Sequence, residues 1–269
     1  MTRRSIQRAT ALLLLVVGLR PTLVARAEAP CERIVSLAPS VTESVYELGL
    51  GDKLVGRTRF CRFPEAASDI PAVGGFYDAS LEAILARRPT HVIALPESFD
   101  VAEQASRFGV ETIAVDHSSV EGIKQSLRQI AERCGASARA AELLAQYEAR
   151  ERAVAQKVAG QETLRTLVVV GRAQQASEAP SLYVSGNDGF YSEVLSLAGA
   201  RNVNERRTTA VPILSPEGLL VLKPEAIVEV INADDGISAK DAEQLWQRFD
   251  AIPAVKRGKV YILNDDFAS

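Results

Sequence analysis

The chain has 269 residues, of which 47% are hydrophobic, 24% are charged and 6% are aromatic, and its formal net charge is −3. This length fits one large domain or two domains of about 100 residues each, and the apolar content is sufficient for packed cores. Because acidic chains are poor partners for nucleic acids, DNA-binding and RNA-binding functions are excluded.

The first 27 residues predict export. Three arginines among the first eight residues precede the apolar run 11–19 and the small-x-small pattern Ala25-Arg26-Ala27, an arrangement typical of a secretory signal peptide. The run is too short for a permanent membrane-spanning helix, and no later stretch is long enough to span a membrane. We expect cleavage after Ala27 and a periplasmic mature protein. Loss of five arginines and no acids changes its net charge from −3 to about −8.

The first half of the mature chain alternates short apolar strands with helical patterns. Strands are predicted at 34–37, 91–95 and 111–115, and helices at 40–48, 82–87, 101–108 and 120–133. A capping box, Ser40-Val41-Thr42-Glu43, is expected to begin the first helix. The alternation predicts an N-terminal α/β lobe over residues 28–136, with a mostly parallel sheet flanked by helices.

A strongly helix-forming segment follows. From Ser137 to about Val158 the residues are mostly Ala, Glu, Arg, Gln and Leu, without Gly or Pro. A helix of this length spans roughly 30 Å. The sequence therefore predicts a single linking helix within residues 137–160.

The strand and helix pattern then restarts, which predicts a second α/β lobe over residues 161–269. Strands are predicted at 164–170, 183–185, 226–231 and 259–263, and helices at 192–198 and 239–249. The two halves also share a motif, because Ser80–Pro89 and Ser215–Pro224 both follow S-x-E-x-[IL]-L-x-x-[RK]-P and both run into a strand. Two similar lobes with a ligand cleft between them are the expected arrangement.

Glu82 and Glu217 occupy the same place in this repeat, near the second position of a helix that begins after a serine N-cap. One interpretation is that each carboxylate stabilises its helix dipole. The other is that each carboxylate docks on basic residues of a symmetric partner. The residues alone leave both interpretations open.

Aromatic residues cluster in predicted loops of both halves. Phe76, Tyr77 and Tyr183 are expected to line the cleft, because aromatic surface suits a large, partly apolar ligand. Phe63 and Phe190 belong to the same clusters, and for them a place in the core is the alternative.

Signatures of enzymes and metal sites are missing from the sequence. It contains no nucleotide-binding glycine loop, no G-x-S-x-G, no H-E-x-x-H and no C-x-x-C. The two histidines are too few for a multi-histidine metal pocket. His91 is interpreted as a packing residue and His117 as an ordinary loop residue. We therefore assign no catalytic residue and no metal site.

Cys31, Cys61 and Cys134 predict one disulfide and one free thiol in an oxidising compartment, with the pairing left open. A lipid-anchored Cys31 is the alternative, although the preceding Glu28-Ala29-Pro30 does not fit a lipoprotein signal.

The segments Arg33–Glu43, Leu48–Gly51 and Val55-Gly56 resemble the opening of periplasmic binding proteins for vitamin B12, haem and ferric siderophores. Phe60–Pro64 and Pro71–Gly75 are most similar to the cobalamin-binding branch. The resemblance covers nearly all of the mature chain. It implies a class III periplasmic binding protein, in which one long helix joins two Rossmann-like α/β lobes that close only modestly.

The implied function is that of a monomeric, non-enzymatic component of an ABC importer, which captures a corrinoid and delivers it to the membrane permease dimer. The ligand is thus a bulky metal chelate, and no further cofactor is implied. The alternative is a ferric siderophore or haem in the same fold. A secreted α/β hydrolase or a sensor domain is the alternative from another class.

The resemblance also implies roles for individual residues. Glu82 and Glu217 match the positions that pair with arginines of the permease. The positions expected to bind the ligand by this resemblance are Phe60, Phe76, Tyr183, Asp266 and Phe267.

Three features depart from the cobalamin-binding pattern. Val211 and Leu95 stand where cobalamin binders tend to place tryptophans, whereas Trp246 lies in a predicted helix away from the cleft. Tyr77 could serve as the tyrosine ligand that haem binders usually offer to iron. Family members continue into a final helix, so a chain that ends at Ser269 is expected to be a fragment.

Overall fold

The structure is a computed structural model that describes residues 31–172, 181–208, 211–231 and 237–263. These residues form two α/β lobes that follow one another along the chain, joined by a long helix. Each lobe has a sheet and a hydrophobic core of its own.

The N-terminal lobe contains a parallel sheet with the strand order β2-β1-β3-β4. Alternate residues of its strands enter different cores, so Ile34 and Ile93 pack on one face of the sheet and Val35 and Val92 on the other. Both faces are therefore covered, as parallel sheets require. The elements are β1 (Ile34–Ser36), α1 (Pro39–Glu47), β2 (Leu54–Gly56), α2 (Leu81–Ala86), β3 (His91–Ala94), α3 (Phe99–Ser106), β4 (Glu111–Ala114) and α4 (Val120–Cys134).

A 22-residue helix, α5 (Ser137–Val158), leads from α4 into the C-terminal lobe. Its residues Ala140, Leu143, Leu144 and Tyr147 pack into the core of the N-terminal lobe. Their spacing of three and four residues places them on one face of the helix. The first half of α5 thus belongs to the N-terminal lobe, and the rest reaches the second lobe.

The C-terminal lobe contains a mixed sheet with the strand order β10-β9-β5-β6-β8, and β7 pairs with β5 beside this path. The strand β5 pairs in parallel with β7 and with β9, and β9 pairs in parallel with β10. The strand β6 is antiparallel to β5 and to β8. The elements are β5 (Leu164–Arg172), β6 (Leu182–Val184), α6 (Phe190–Leu197), β7 (Ala200–Asn202), β8 (Ile213–Leu214), α7 (Pro216–Leu222), β9 (Ala226–Val230), α8 (Ala239–Trp246), α9 (Pro253–Lys256) and β10 (Val260–Leu263).

One prediction about a helix terminus is wrong. The first helix begins at Pro39 with Ala38 as its N-cap and has no side-chain cap, so Ser40 and Glu43 do not form a capping box. Proline suits the first helical position because its ring fixes φ and it lacks an N–H. Ser40 therefore lies inside the first turn, where its hydroxyl is free to contact another element.

The cysteines form one disulfide, between Cys31 and Cys134, and Cys61 is a buried free thiol. The prediction of one bridge and one thiol is confirmed. The bridge joins the residues before β1 to the end of α4. Because the sulfur of Cys31 is bonded to Cys134, it is not available to carry a lipid.

A buried ion pair lies in the C-terminal lobe. Arg172 donates two hydrogen bonds to Glu229, at 2.5 and 2.7 Å, and the indole N–H of Trp246 donates to the same carboxylate at 2.6 Å. The indole of Trp246 is thus buried and hydrogen-bonded in the core, in agreement with its predicted place away from the cleft. None of the helices in the described ranges is long and apolar enough to cross a membrane.

Candidate functional site

A cavity of about 1100 Å³ lies between the two lobes and α5. Sites for drug-sized ligands commonly measure about 300–1,000 Å³, so this cavity suits a bulky ligand. Much of its N-terminal wall comes from segments that follow β1, β3 and β4. The carboxyl ends of parallel strands meet at one edge of a sheet, which is where ligands bind in such folds.

The apolar part of the cavity wall is largely aromatic. Phe190 and Tyr191 come from the C-terminal lobe and contact each other edge to face, with 5.4 Å between ring centroids. Burial raises the pKa of Tyr191, so its hydroxyl stays protonated and can donate a hydrogen bond. The N-terminal lobe and α5 contribute four further rings to the wall: Tyr46, Phe63, Phe76 and Tyr147.

Among the described residues, the charged part of the wall carries an excess of acid. Two of their guanidinium groups line it, those of Arg139 and Arg150 on α5. Arg139 is already engaged, because its Nε donates to the carbonyl oxygen of Glu47 at 3.0 Å. Five carboxylates line the same cavity: Glu43, Glu47, Glu97, Asp116 and Asp188.

His117, which was interpreted from the sequence as an ordinary loop residue, lies in the cavity wall. Its Nδ1 is 2.8 Å from the hydroxyl oxygen of Ser40, and its Nε2 is buried without a hydrogen-bond partner among the residues that the structure describes. Burial lowers the pKa of His117 to about 4, against a smaller opposite effect of Asp116. The imidazole is therefore neutral at pH 7.

Two of the predicted ligand-binding residues, Phe76 and Val211, line the cavity together with Leu95. Phe60 lies under the guanidinium of Arg59, 42% exposed, and Tyr77 is 83% exposed. Neither these two nor Tyr183, on β6, are among the cavity-lining residues described. Asp266 and Phe267 lie outside the described residues. The ligand contacts assigned from the sequence remain predictions.

Several cavity residues were not predicted. Tyr147 follows Leu143 and Leu144 at helical spacing, which gave a signal for a buried face but none for a ligand. Phe190 belongs to one of the aromatic clusters that were recognised in the sequence, and Tyr191 follows it directly. Tyr46 gave no signal, because a single tyrosine inside a helix is equally consistent with core packing.

The repeated motif has the same geometry in both lobes. The hydroxyl of Ser80 accepts from the Ala83 N–H and that of Ser215 from the Gly218 N–H, both at 3.2 Å. After the helices, Arg88 and Lys223 have positive φ values of 48° and 47°, each directly before a proline. Proline disfavours the right-handed helical region for the residue before it, which helps to end both helices.

Both repeated glutamates are solvent-exposed at the start of their short helices. Glu82 lies in the first turn of α2 and Glu217 in the first turn of α7. Hydrogen bonds from its own backbone N–H and from the Ser215 hydroxyl lower the pKa of Glu217. Both the dipole interpretation and the docking interpretation remain compatible with these positions.

Comparison with known proteins gives three close similarities. The family described as periplasmic binding protein matches residues 34–267. A vitamin B12-binding protein of Vibrio campbellii is 31% identical over 250 residues, which cover 90% of this chain and 84% of the relative. A periplasmic haem-binding protein from Pseudomonas aeruginosa has a solved structure with a TM-score of 0.75 and 27% identity, covering 88% of this chain and 85% of that one.

One further solved structure shows the fold alone. It is the periplasmic vitamin B12-binding protein of Vibrio cholerae, with a TM-score of 0.72 and 24% identity over 88% of this chain and 89% of that chain.

Proposed function

Because the chain belongs to the periplasmic binding protein family, we propose that it captures a corrinoid in the cavity between its lobes and delivers it to an ABC importer. The expected fold, a class III periplasmic binding protein, is confirmed. Members of this family are exported, non-enzymatic substrate-binding components of ABC importers for vitamin B12, haem or siderophores. The choice of a corrinoid among these ligands is the finer part of the proposal.

The combination of aromatic rings with excess carboxylates in the cavity wall carries this choice. Haem has two carboxylates of its own, and many ferric siderophore complexes are anionic, so an acidic wall disfavours both by like-charge repulsion. A corrin ring has an apolar face and a periphery of neutral amides. Aromatic rings can stack on the face, while carboxylates such as Glu43 and Asp116 can accept hydrogen bonds from amide N–H groups.

The similarity to a vitamin B12-binding protein supports the same choice. Haem or a ferric siderophore is the second candidate. Arg139 and Arg150 favour it, because their guanidinium groups could neutralise carboxylates of such a ligand.

We assign the docking that delivers the ligand to the importer to the two repeated glutamates. Glu82 and Glu217 are exposed, one per lobe, and each is held at the start of a serine-capped helix. A permease dimer presents two equivalent surfaces, so one carboxylate per lobe allows both halves of the partner to be contacted. Pairing with arginines of the permease would use charge-assisted hydrogen bonds.

Calorimetric titration of the purified protein with cyanocobalamin, haemin and a ferric siderophore panel tests the ligand. We expect saturable one-to-one binding of cyanocobalamin, and weaker binding of the two anionic classes. Absence of cyanocobalamin binding at millimolar concentration would rule out the corrinoid. Tight binding of haemin that weakens when Arg139 and Arg150 are replaced by glutamine would establish the second candidate.

A further inference from the structure

The two lobes contact each other directly beside the cavity, at a place separate from the linking helix. The N–H of Val120, the first residue of α4, donates to Oε2 of Glu193 in the opposite lobe at 2.7 Å. In return, the N–H of Phe190, the first residue of α6, donates to the carbonyl oxygen of Ser118 at 2.7 Å. We call these four residues, Ser118, Val120, Phe190 and Glu193, the lobe clasp.

The lobe clasp is a reciprocal helix cap. The first N–H groups of an α-helix lack partners within the helix and must be bonded by other groups. In α4, Ser119 satisfies the N–H of Gly122 from the same lobe, and Glu193 satisfies that of Val120 from the other. Each lobe thus supplies an acceptor for the first N–H of a helix in its neighbour. The Glu193 carboxylate also interacts favourably with the dipole of α4.

Two glycines allow this close contact. Gly189, the N-cap of α6, has φ 90° and ψ −166°, a conformation essentially restricted to glycine. A Cβ atom on Gly122 would lie 2.7 Å from the carbonyl oxygen of Asp116, so only glycine lets α4 begin this close to the preceding strand end. Glycine at these two positions thus allows the backbone conformations from which the two helices of the clasp begin.

Open space lies on both sides of the lobe clasp. Ser118 and Phe190 line the main cavity, whereas Val120 and Glu193 line a second groove of about 790 Å³ behind it. Because open space flanks the clasp on both sides, its hydrogen bonds contribute to holding the junction at this point. Phe190 and Tyr191 are the first two residues of α6. The clasp therefore influences the distance between these two rings and the part of the cavity wall that the N-terminal lobe forms.

We propose that Glu193 is a positioning residue that sets the opening of the ligand cleft by capping helix α4 of the opposite lobe. With the cap in place, the aromatic wall is held in its binding arrangement before any ligand arrives. Without it, the lobes move about α5 and the binding arrangement is populated only part of the time. The apparent dissociation constant then rises in inverse proportion to that fraction. The link to a corrinoid rests on the proposed function, whereas the link to cleft opening does not.

Spin-label distance measurements on the unliganded protein test the inference. Labels at Gln104→Cys and Lys256→Cys lie on exposed positions of α3 and α9, one in each lobe. Glu193→Ala should broaden or shift the inter-lobe distance distribution, and Glu193→Gln, which keeps an acceptor but no charge, should do so less. The matched control is Glu121→Ala, which removes an exposed acid from the first turn of the same helix without touching the other lobe.

The second readout is ligand affinity. The dissociation constant of Glu193→Ala for cyanocobalamin should be about fivefold higher than that of the parent, if the binding arrangement is populated about one fifth of the time, and that of Glu121→Ala should match the parent. Distance distributions that are identical in Glu193→Ala, Glu193→Gln and the parent would overturn the inference. If the parent does not bind cyanocobalamin, the proposed ligand fails, while the distances still decide the role of Glu193.

Discussion

The imidazole of His117 contacts the hydroxyl of Ser40, with 2.8 Å between Nδ1 and Oγ, and this pair joins the end of β4 to the first turn of α1. The contact exists because α1 begins at Pro39 rather than at a capping serine, which leaves the Ser40 side chain free. The ring is fixed in the cavity wall and is not protonated at neutral pH.

A first prediction concerns stability in acid. The pKa of His117 is about 4 in the folded protein and about 6.5 in an unfolded chain, so the unfolded chain binds the extra proton first as pH falls. Stability is therefore lost between pH 6.5 and 4, by about 2 kcal/mol at pH 4.5. In His117→Gln this part of the loss should vanish, as measured by urea unfolding at pH 7 and pH 4.5. Equal pH dependence in both proteins would contradict the assigned pKa.

A second prediction concerns the disulfide between Cys31 and Cys134, which are 103 residues apart. Removing a cross-link over such a loop increases the freedom of the unfolded chain and typically costs about 2–5 kcal/mol. Cys31→Ala with Cys134→Ala should lose that much in the free energy of unfolding at pH 7. A reductant should destabilise the parent by a similar amount and leave the double variant unchanged. A double variant as stable as the parent would contradict a stabilising role for this bridge.

A third prediction concerns the buried pair of Arg172 and Glu229. Glu229→Gln leaves a buried guanidinium without its counter-charge, which should cost about 3–5 kcal/mol in unfolding experiments. Arg172→Met with Glu229→Leu removes both charges and should recover only part of the loss, because the indole N–H of Trp246 then lacks its acceptor. In the exposed pair of Glu148 and Arg152, Glu148→Gln should change stability little. A small effect of Glu229→Gln would mean that water reaches this pair.

A fourth prediction concerns the aromatic wall. Phe76→Leu should weaken cyanocobalamin binding about tenfold, because a stacking ring is lost from the cavity. Tyr77→Leu changes the neighbouring ring, which is exposed and 4.8 Å from Phe76 between centroids. Calorimetry of the two variants compares the positions directly. If Tyr77→Leu weakens binding as much, Tyr77 contacts the ligand, in agreement with its place in the cleft predicted from the sequence.

A fifth prediction concerns delivery to the importer. Glu82→Ala with Glu217→Ala should abolish most ligand uptake into vesicles that contain the importer, with unchanged ligand affinity. Glu132→Ala with Glu243→Ala is the matched control, because it also removes one exposed helical acid per lobe. Normal uptake with Glu82 and Glu217 replaced would leave only the helix-dipole interpretation.

Local features of the fold were predictable because local residues determine them. The linking helix was predicted at Ser137 to about Val158 and spans those residues. A long segment of strong helix formers without Gly or Pro favours a continuous helix. The strands β2, β7 and β8 were missed because none of them shows a clear apolar run: β2 ends in a glycine, two of the three residues of β7 are polar, and β8 has only two residues.

The cavity wall was less predictable, because it depends on how the lobes are placed. Phe76 and Tyr77 are adjacent in one loop, but only Phe76 is among the cavity-lining residues described. Phe63, for which a place in the core was an alternative, lines the cavity. The neighbours of a loop residue in the opposite lobe are distant in sequence, so no local pattern indicates which ring contacts the ligand.

In the described ranges, the chain passes from one lobe to the other once, through α5, so each lobe is an uninterrupted stretch of sequence. Each lobe is therefore encoded by one continuous segment of the gene. A single break after Val158 would divide the polypeptide between the two lobes. It also permits half-for-half exchange with a relative, since one splice point carries over a complete sheet, its helices and one of the two carboxylates proposed for docking.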